Sequence, residues 1–310
     1  MLRRTVLALV LAAAVAVQGS SPVQAAPPAE AGQTFQAGGV TLYYEPLGAA
    51  ASKVPLVVAN GGPGFDHSYL HVAGVWGELA KERPVVLYDQ RGTGRSTAPA
   101  GPTKLADQIA DLDALRQHLG AEKIDLLGHS WGGYLAMAYT ARHPDRVRRL
   151  ILVDSAAPKW KDTAFLFKDV FPERVARQDG LNFAATLGDD AASQESMREY
   201  FSMLFYAPEN RDAFLAGATH YQYSAAINEA LNADLERFDL NPELAKLHLP
   251  ALVITGRFDA NVAPSTAWHT HQALAGSRFV VFEKSGHLPF FEEPARFVQV
   301  VGEFLNAEGP

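Results

Sequence analysis

Ile124-Asp125-Leu126-Leu127 runs straight into Gly128-His129-Ser130-Trp131-Gly132-Gly133, a short apolar stretch followed by Gly-x-Ser-x-Gly. This order describes a strand, an abrupt turn carrying a serine, and a helix from Gly132 to about Ala141 that Pro144 closes. Glycines flank the serine because such a turn strains the backbone, and a Cβ at Gly128 or Gly132 would collide with the neighbouring strand or helix. The strain lifts the Ser130 hydroxyl out of the sheet, above the start of a helix. Alone, the five-residue pattern is weak, since small residues fall into it by chance. Between a buried strand and a helix of small residues, it marks Ser130 as a candidate nucleophile.

Short apolar runs recur at residues 56–59, 85–88, 124–127, 150–153, 251–254 and 279–282, and 41–45 reads as an edge strand ahead of them. Apolar runs without alternation are what a parallel sheet covered on both faces requires. Leu105, Ile109, Leu112, Leu115 and Leu119 form a helical stripe ending at Gly120, and a last helix runs from Pro294 to Leu305. The alternation implies an α/β protein with a right-handed, doubly wound, mostly parallel sheet. From about Ser155 to Leu247 the rhythm fails: no strand stands out, and aromatics are dense. That interval reads as an inserted helical cap over the site, with most of its aromatics forming the cap's own small core.

The amino terminus has its own character. Arg3 and Arg4 precede an apolar stretch from Val6 to Val17, and small residues follow up to Ala25. This is the pattern of an export signal cut after Ala25, too short for a full membrane span. Pro27, Pro28 and the alanines near them look like a flexible leader. The expected division is residues 1–25 signal, 26–33 leader, 34–154 with 248–310 the catalytic core, and 155–247 the cap. A secreted or periplasmic enzyme without stable membrane insertion follows. The chain has no cysteine, so its stability in that compartment would rest on its core alone. At 48% hydrophobic and 20% charged residues the composition is that of a globular enzyme, and a net charge of −7 argues against nucleic acid as a partner. The oligomeric state is not legible.

A serine hydroxyl is a poor nucleophile at neutral pH and needs a base held by a third group. Thr255-Gly256-Arg257-Phe258-Asp259 follows the run at 251–254, and Ser285-Gly286-His287 follows the run at 279–282. Both therefore lie at carboxyl ends of strands, on the same sheet edge as Ser130. Singly, such an aspartate is usually a turn residue and such a histidine structural. Together, in the order serine, acid, histidine, they read as a catalytic set, with Asp259 holding His287 and His287 taking the Ser130 proton. Asn60-Gly61-Gly62-Pro63-Gly64 follows the run at 56–59, where a loop would supply amides to a developing oxyanion. The N–H groups of Gly62 and Trp131, and less directly that of Gly61, are the expected donors.

Three motifs carry a resemblance. Asn60-Gly-Gly-Pro-Gly64, Asp89-Gln-Arg-Gly-Thr-Gly-Arg-Ser96 and Gly128-His-Ser-Trp-Gly-Gly133 resemble those of the proline iminopeptidase family of α/β-hydrolases, across roughly residues 34–154 and 250–305. The resemblance implies an α/β-hydrolase fold and release of an N-terminal residue, often proline, from a short peptide. It also implies cap glutamates that bind the substrate's free amine. Glu229 best matches that position, ahead of Glu199 and Glu209. Asp89 and Arg91 are expected to tie the strand end to the loop, as supports rather than catalysts. Two departures stand out. Asn60 replaces the family's usual histidine and alters the substrate side of the loop, and Ala260 and Asn261 follow Asp259 where some relatives carry an acid. Both shift the expectation towards the alternative activity on the same scaffold, a carboxylesterase or lactonase acting on small neutral acyl substrates.

His67 and His71 stand four apart, a spacing able to hold a metal, but no third ligand is evident from the spacing. No metal and no cofactor are expected. His269 and His271 would diverge on a helix. Glu292 and Glu293, ahead of Pro294, read as favourable charge at the start of the last helix.

Overall fold

The computed structural model describes residues 32–48, 53–218 and 221–308. The expected export signal at 1–25 and all but the end of the expected leader lie outside these residues. Among them no helix is long and apolar enough to cross a membrane.

Eight strands form one sheet. They are β1 (Gln33–Ala37), β2 (Val40–Leu47), β3 (Leu56–Ala59), β4 (Val85–Tyr88), β5 (Ile124–His129), β6 (Val147–Val153), β7 (Ala251–Gly256) and β8 (Arg278–Phe282), in the spatial order β1-β2-β4-β3-β5-β6-β7-β8. From β3 to β8 every pairing is parallel, while β1 and β2 are antiparallel additions at one side. Every residue of β3, β4, β5 and β7 is buried, as a parallel sheet covered on both faces requires, with Asp125 of β5 paired to Arg83 and Arg148.

The expected edge strand at 41–45 is corrected. It is the middle of β2, and the edge is β1, joined to it through Gly38 and Gly39 at φ +52° and +82°. Two residues of positive φ make the two-residue hairpin turn whose twist suits its strands, a conformation glycine adopts freely. Only Phe35 and Ala37 of β1 are buried, so the strand has little apolar signal to show.

Helices cover both faces. One face carries α1 (Val75–Ala80), α11 (Pro289–Glu292) and α12 (Pro294–Asn306), packed through Trp76, Phe290, Phe297 and Val301. The other carries α2 (Leu105–His118), α3 (Trp131–Arg142) and α10 (Pro264–Ala273), packed through Leu112, Leu115, Met137 and Ala267. Between β6 and β7 the described chain holds only helices: α4 (Phe167–Val170), α5 (Pro172–Thr186), α6 (Asp190–Ser202), α7 (Pro208–Gly217), α8 (Ala225–Leu235) and α9 (Asn241–Leu244). They divide their loyalties. Met197, Phe201, Leu204 and Phe214, from the middle of the insertion, join the core on the α1–α12 side. Ile227, Leu231, Leu235 and Leu244 pack from α8 and α9 into the core beneath α2 and α3.

Candidate active site

Because β3, β5, β6, β7 and β8 run in parallel, their carboxyl ends share one rim, and the residues beyond each end are neighbours. Ser130 follows β5 at φ +56°, ψ −120°, a conformation that costs about 1–3 kcal/mol and persists only when the surroundings enforce it. They do. The Ser130 N–H donates to the Val153 carbonyl at 3.0 Å, and its own carbonyl accepts from Gly133 at 3.0 Å and Ala156 at 3.2 Å. A Cβ at Gly128 would overlap the main chain of Gly132 and Gly133, and one at Gly132 would overlap that of Ala59 and Asn60. The turn is therefore wedged between α3 and β3.

Ser130 and His287 line the same narrow cavity, together with Gly61, Gly62, Phe65, Tyr69 and Tyr200. His287 Nδ1 donates to Asp259 Oδ2 at 2.7 Å, and both residues are buried. Asp259 Oδ1 accepts from the amides of Asn261 at 2.8 Å and Val262 at 2.9 Å, which fixes its plane. With its Nδ1 proton so placed, His287 offers Nε2 as an acceptor, and in this state the Asn261 carboxamide occupies it at 3.0 Å. Asn261 also donates to the Tyr200 hydroxyl, on α6, at 3.1 Å.

Of the three expected oxyanion donors, one is committed elsewhere. The Gly61 N–H donates to the Tyr69 hydroxyl at 2.7 Å, so Gly61 is not an oxyanion donor in this arrangement. The amides of Gly62 and Trp131 donate to no described residue. Gly62 has φ +141°, where a Cβ would come within 2.7 Å of the Gly64 nitrogen, so the loop needs glycine there.

Asn60 does not face the cavity. It is fully buried, and its Nδ2 lies 2.9 Å from the carbonyls of Gly61 and Phe65 and 3.1 Å from that of Asp66. It holds the loop from within. Gln90 completes the link, donating to the Asn60 carbonyl at 3.0 Å and accepting from the Trp131 indole at 2.7 Å. Asp89 binds the His67 ring at 2.6 Å and the Arg95 amide at 2.8 Å, while Arg91 forms a two-pronged pair with Asp111 of α2 at 2.6 and 2.5 Å.

Neither do the glutamates converge on Ser130. Glu229 is exposed and lines a separate cleft with Ala98, Pro99, Pro102 and Thr103. Its neighbour Asn228, one position round the helix, reaches the oxyanion loop instead, donating to the Pro63 carbonyl at 3.0 Å. Glu199 is paired with Arg174 at 2.6 Å and Arg177 at 3.6 Å inside the cap, and Glu209 is exposed on the first turn of α7. Alongside Ser130, through Gly62, Phe65 and Tyr200, opens a cavity of ≈ 480 Å³ lined by Gln178, Asn182, Thr186, Met197, Tyr223 and Asn228. Among the described residues, no charged one lines it.

Several residues of the site carry no motif. Asp154 follows β6 at φ +45°, fully buried, with Oδ1 accepting from the Gly256 amide at 2.8 Å. Burial first, and then the adjacent Asp259 carboxylate, push its carboxyl well above the ordinary range, so it stays protonated beside Asp259. The signal that picked out Asp259, an acid just beyond a strand on this rim, applied equally to Asp154. His129 links the two halves of the site: Tyr69 donates to its Nδ1 at 2.6 Å, and its Nε2 donates to the His287 carbonyl at 2.9 Å. Burial, with His287 beside it, holds His129 well below the usual imidazole range, hence neutral. The loops are also stitched to the cap. The His287 amide donates to Leu204 at 2.7 Å, the Leu166 amide to Ala260 at 2.9 Å, and the Ala263 amide to Ala164 at 2.8 Å. Glu292 accepts from Gly286 at 2.6 Å and from Tyr206 and Ala207 at 3.0 Å, and Glu293 from Lys284 at 2.9 Å. Both acids thus brace the loop before His287 rather than merely charging the helix start.

A family profile for the α/β-hydrolase fold matches residues 54–294. The chain is also 33% identical over 268 residues to the proline iminopeptidase of Heyndrickxia coagulans, covering 82% of this chain and 91% of that one. It belongs to the α/β-hydrolases, in their proline iminopeptidase branch. Similar solved structures include a thermophilic esterase from Thermogutta terrifontis, with TM-score 0.66 and 26% identity over 88% of this chain and 97% of that one. An enol-lactonase from Burkholderia xenovorans is similar too, with TM-score 0.67 and 25% identity over 89% of this chain and 100% of that one. This α/β-hydrolase therefore shares its branch by sequence with peptidases and its shape with esterases and a lactonase.

Proposed function

We propose that this α/β-hydrolase cleaves small, uncharged acyl esters or amides through an acyl-enzyme on Ser130. The observation that carries the substrate class is the ≈ 480 Å³ cavity beside Ser130, whose walls are neutral polar and aromatic, with no carboxylate among the described residues to meet an ammonium group. A desolvated ammonium without an anionic partner binds poorly. In the reaction, Nε2 of His287 exchanges Asn261 for the Ser130 hydroxyl and takes its proton as Oγ attacks the acyl carbon. Asp259 holds the imidazolium, and the Gly62 and Trp131 amides receive the oxyanion. His287 then protonates the leaving group, and water, deprotonated by the same imidazole, releases the acid and restores Ser130.

A second reading, release of N-terminal proline from short peptides, is supported by kinship with the Heyndrickxia coagulans enzyme. The amine would then have to be held by neutral acceptors such as Asn182, Gln178 and the Tyr200 hydroxyl. Activity is proposed to lie outside the cytoplasm, on the strength of the amino-terminal signal pattern.

The test is a panel of short nitrophenyl esters, lactones, N-blocked aminoacyl naphthylamides and free prolyl and alanyl naphthylamides, with Ser130→Ala as control. Turnover of esters and blocked amides ahead of free aminoacyl amides is expected. Preference for a free amine would favour the second reading. No Ser130-dependent turnover of any member would end both.

A further inference from the structure

We propose a second site, a divalent transition-metal site of the Zn²⁺ class formed by Glu45, His67 and His71, with Asp89 as its outer support. It lies behind the oxyanion loop and is separate from the Ser130 cavity.

Sequence spacing supplied two histidines and no third ligand. The fold supplies it from β2. Glu45, His67 and His71 each bring one ligand atom within 4.8 Å of the others. The roles of Glu45's oxygens are divided. Oε1 accepts from the Tyr43 hydroxyl at 2.7 Å and lies 3.2 Å from Arg95, whereas the buried Oε2 is met by His71. The His71 Nε2 stands 2.8 Å from that oxygen, and the His67 Nε2 stands 3.4 Å from Oε1. The two imidazole nitrogens therefore meet the same carboxylate, one at each of its oxygens.

The outer contacts suit a metal as well. Asp89 Oδ1 accepts from His67 Nδ1 at 2.6 Å and from the His67 amide at 3.1 Å. With a metal bound in place of the proton that Asp89 and Glu45 favour on this ring, the carboxylate on the far nitrogen would fix the ring and its tautomer, as in carboxylate–histidine–zinc arrangements. Zinc bonds of about 2.0–2.1 Å to nitrogen and oxygen in a tetrahedron separate ligands by roughly 3.3–3.5 Å. The separations here need only small side-chain adjustments to reach that. The His71 side chain is one-third exposed, giving a path from solvent and room for water as a fourth ligand. Arg95 opposes a cation; its side chain is 64% exposed, and to make way it would have to leave the Tyr43 hydroxyl and ring as well as Glu45.

The consequence lies in the segment the site would hold. His67 and His71 end the stretch that starts at Asn60, and Asn60 itself grips the Asp66 carbonyl at 3.1 Å. A metal would pin this stretch to β2 and stabilise the loop carrying Gly62, with no part in the chemistry at Ser130.

The experiment titrates chelator-treated protein with Zn²⁺ by calorimetry at pH 8, and follows Tm and the visible d–d bands of Co²⁺ as independent readouts. The expected result is one equivalent bound, a Tm rise of about 5 °C at a hundredfold excess over Kd, and four-coordinate Co²⁺ bands. His71→Ala should weaken binding at least 10–100-fold, the size that even outer-ligand losses reach, while circular dichroism stays unchanged. The control His269→Ala, at an exposed position, should bind as the parent does. Absence of stoichiometric binding below about 100 μM would overturn the site, leaving Glu45, His67 and His71 as an ion-paired cluster. So would binding that survives His71→Ala.

Discussion

The carboxamide of Asn261 and the imidazole of His287 are held 3.0 Å apart through Nε2, the nitrogen that accepts the Ser130 proton in the proposed reaction. A neutral hydrogen bond of this kind is worth about 1 kcal/mol net, which a resting enzyme must give up before the base engages its nucleophile. Asn261→Ala should therefore raise kcat on a nitrophenyl ester by about 2–5-fold. KM should change little. A tenfold fall in kcat would instead mean that Asn261 holds the ring in its working position.

Ser130→Ala should abolish turnover, and Asp259→Asn should lower kcat by about 10⁴, the loss seen when a buried carboxylate no longer sets the histidine tautomer. Ser130→Ala removes no buried apolar surface, so its urea midpoint should stay close to the parent's. Active-site titration with a phosphonylating reagent checks the first directly, since only a reactive serine is labelled.

Asp154→Asn tests the protonated acid. The folded carboxyl is raised well above its ordinary 3.8, so as pH climbs past about 4 the unfolded chain releases this proton while the folded chain keeps it. The stability contributed by the group is complete below that pH and declines as pH rises towards the folded value, by up to about 1.4 kcal/mol per unit. Asparagine does not titrate. The parent's stability relative to Asp154→Asn should thus fall between pH 4 and 7 in urea unfolding curves. A parallel pair of pH profiles would show that Asp154 is ionised.

Glu292→Ala removes a carboxylate that accepts from the amides of Gly286, Tyr206 and Ala207. Charge-assisted bonds of this sort are worth about 1.5–3 kcal/mol, so the variant should lose about 2–3 kcal/mol of stability by urea denaturation. Since Gly286 precedes His287, kcat should fall more than KM rises.

Much of this molecule could be read from its residues, because one physical signal repeats. Each of β3 to β8 carries the apolar run that a parallel strand in a covered sheet demands, and the runs in β5, β7 and β8 lead into Ser130, Asp259 and His287. That placed Ser130, Asp259 and His287 on one rim. β1 escaped because a half-exposed edge strand has only Phe35 and Ala37 to bury. The role of Gln90 was hidden for a different reason. Within the Asp89–Arg91 motif it looked like a spacer, and only the fold brings its amide between Asn60 and Trp131. Glu229 misled because neighbouring helical residues point about 100° apart, so the match to a motif fell one position from Asn228, the residue that reaches the loop. The third histidine-cluster ligand, Glu45, lies on a strand far back in sequence, and no spacing rule could supply it.

The His287 amide hangs from Leu204 of the cap, and the stretch after Asp259 is bonded to Ala164 and Leu166. The charge-relay loops thus belong mechanically to the lid as much as to the sheet beneath. On heating, the softer helical layer should loosen first and carry the imidazole out of register. Catalysis should then fade several degrees before far-ultraviolet ellipticity does, so an enzyme that looks folded could already be silent.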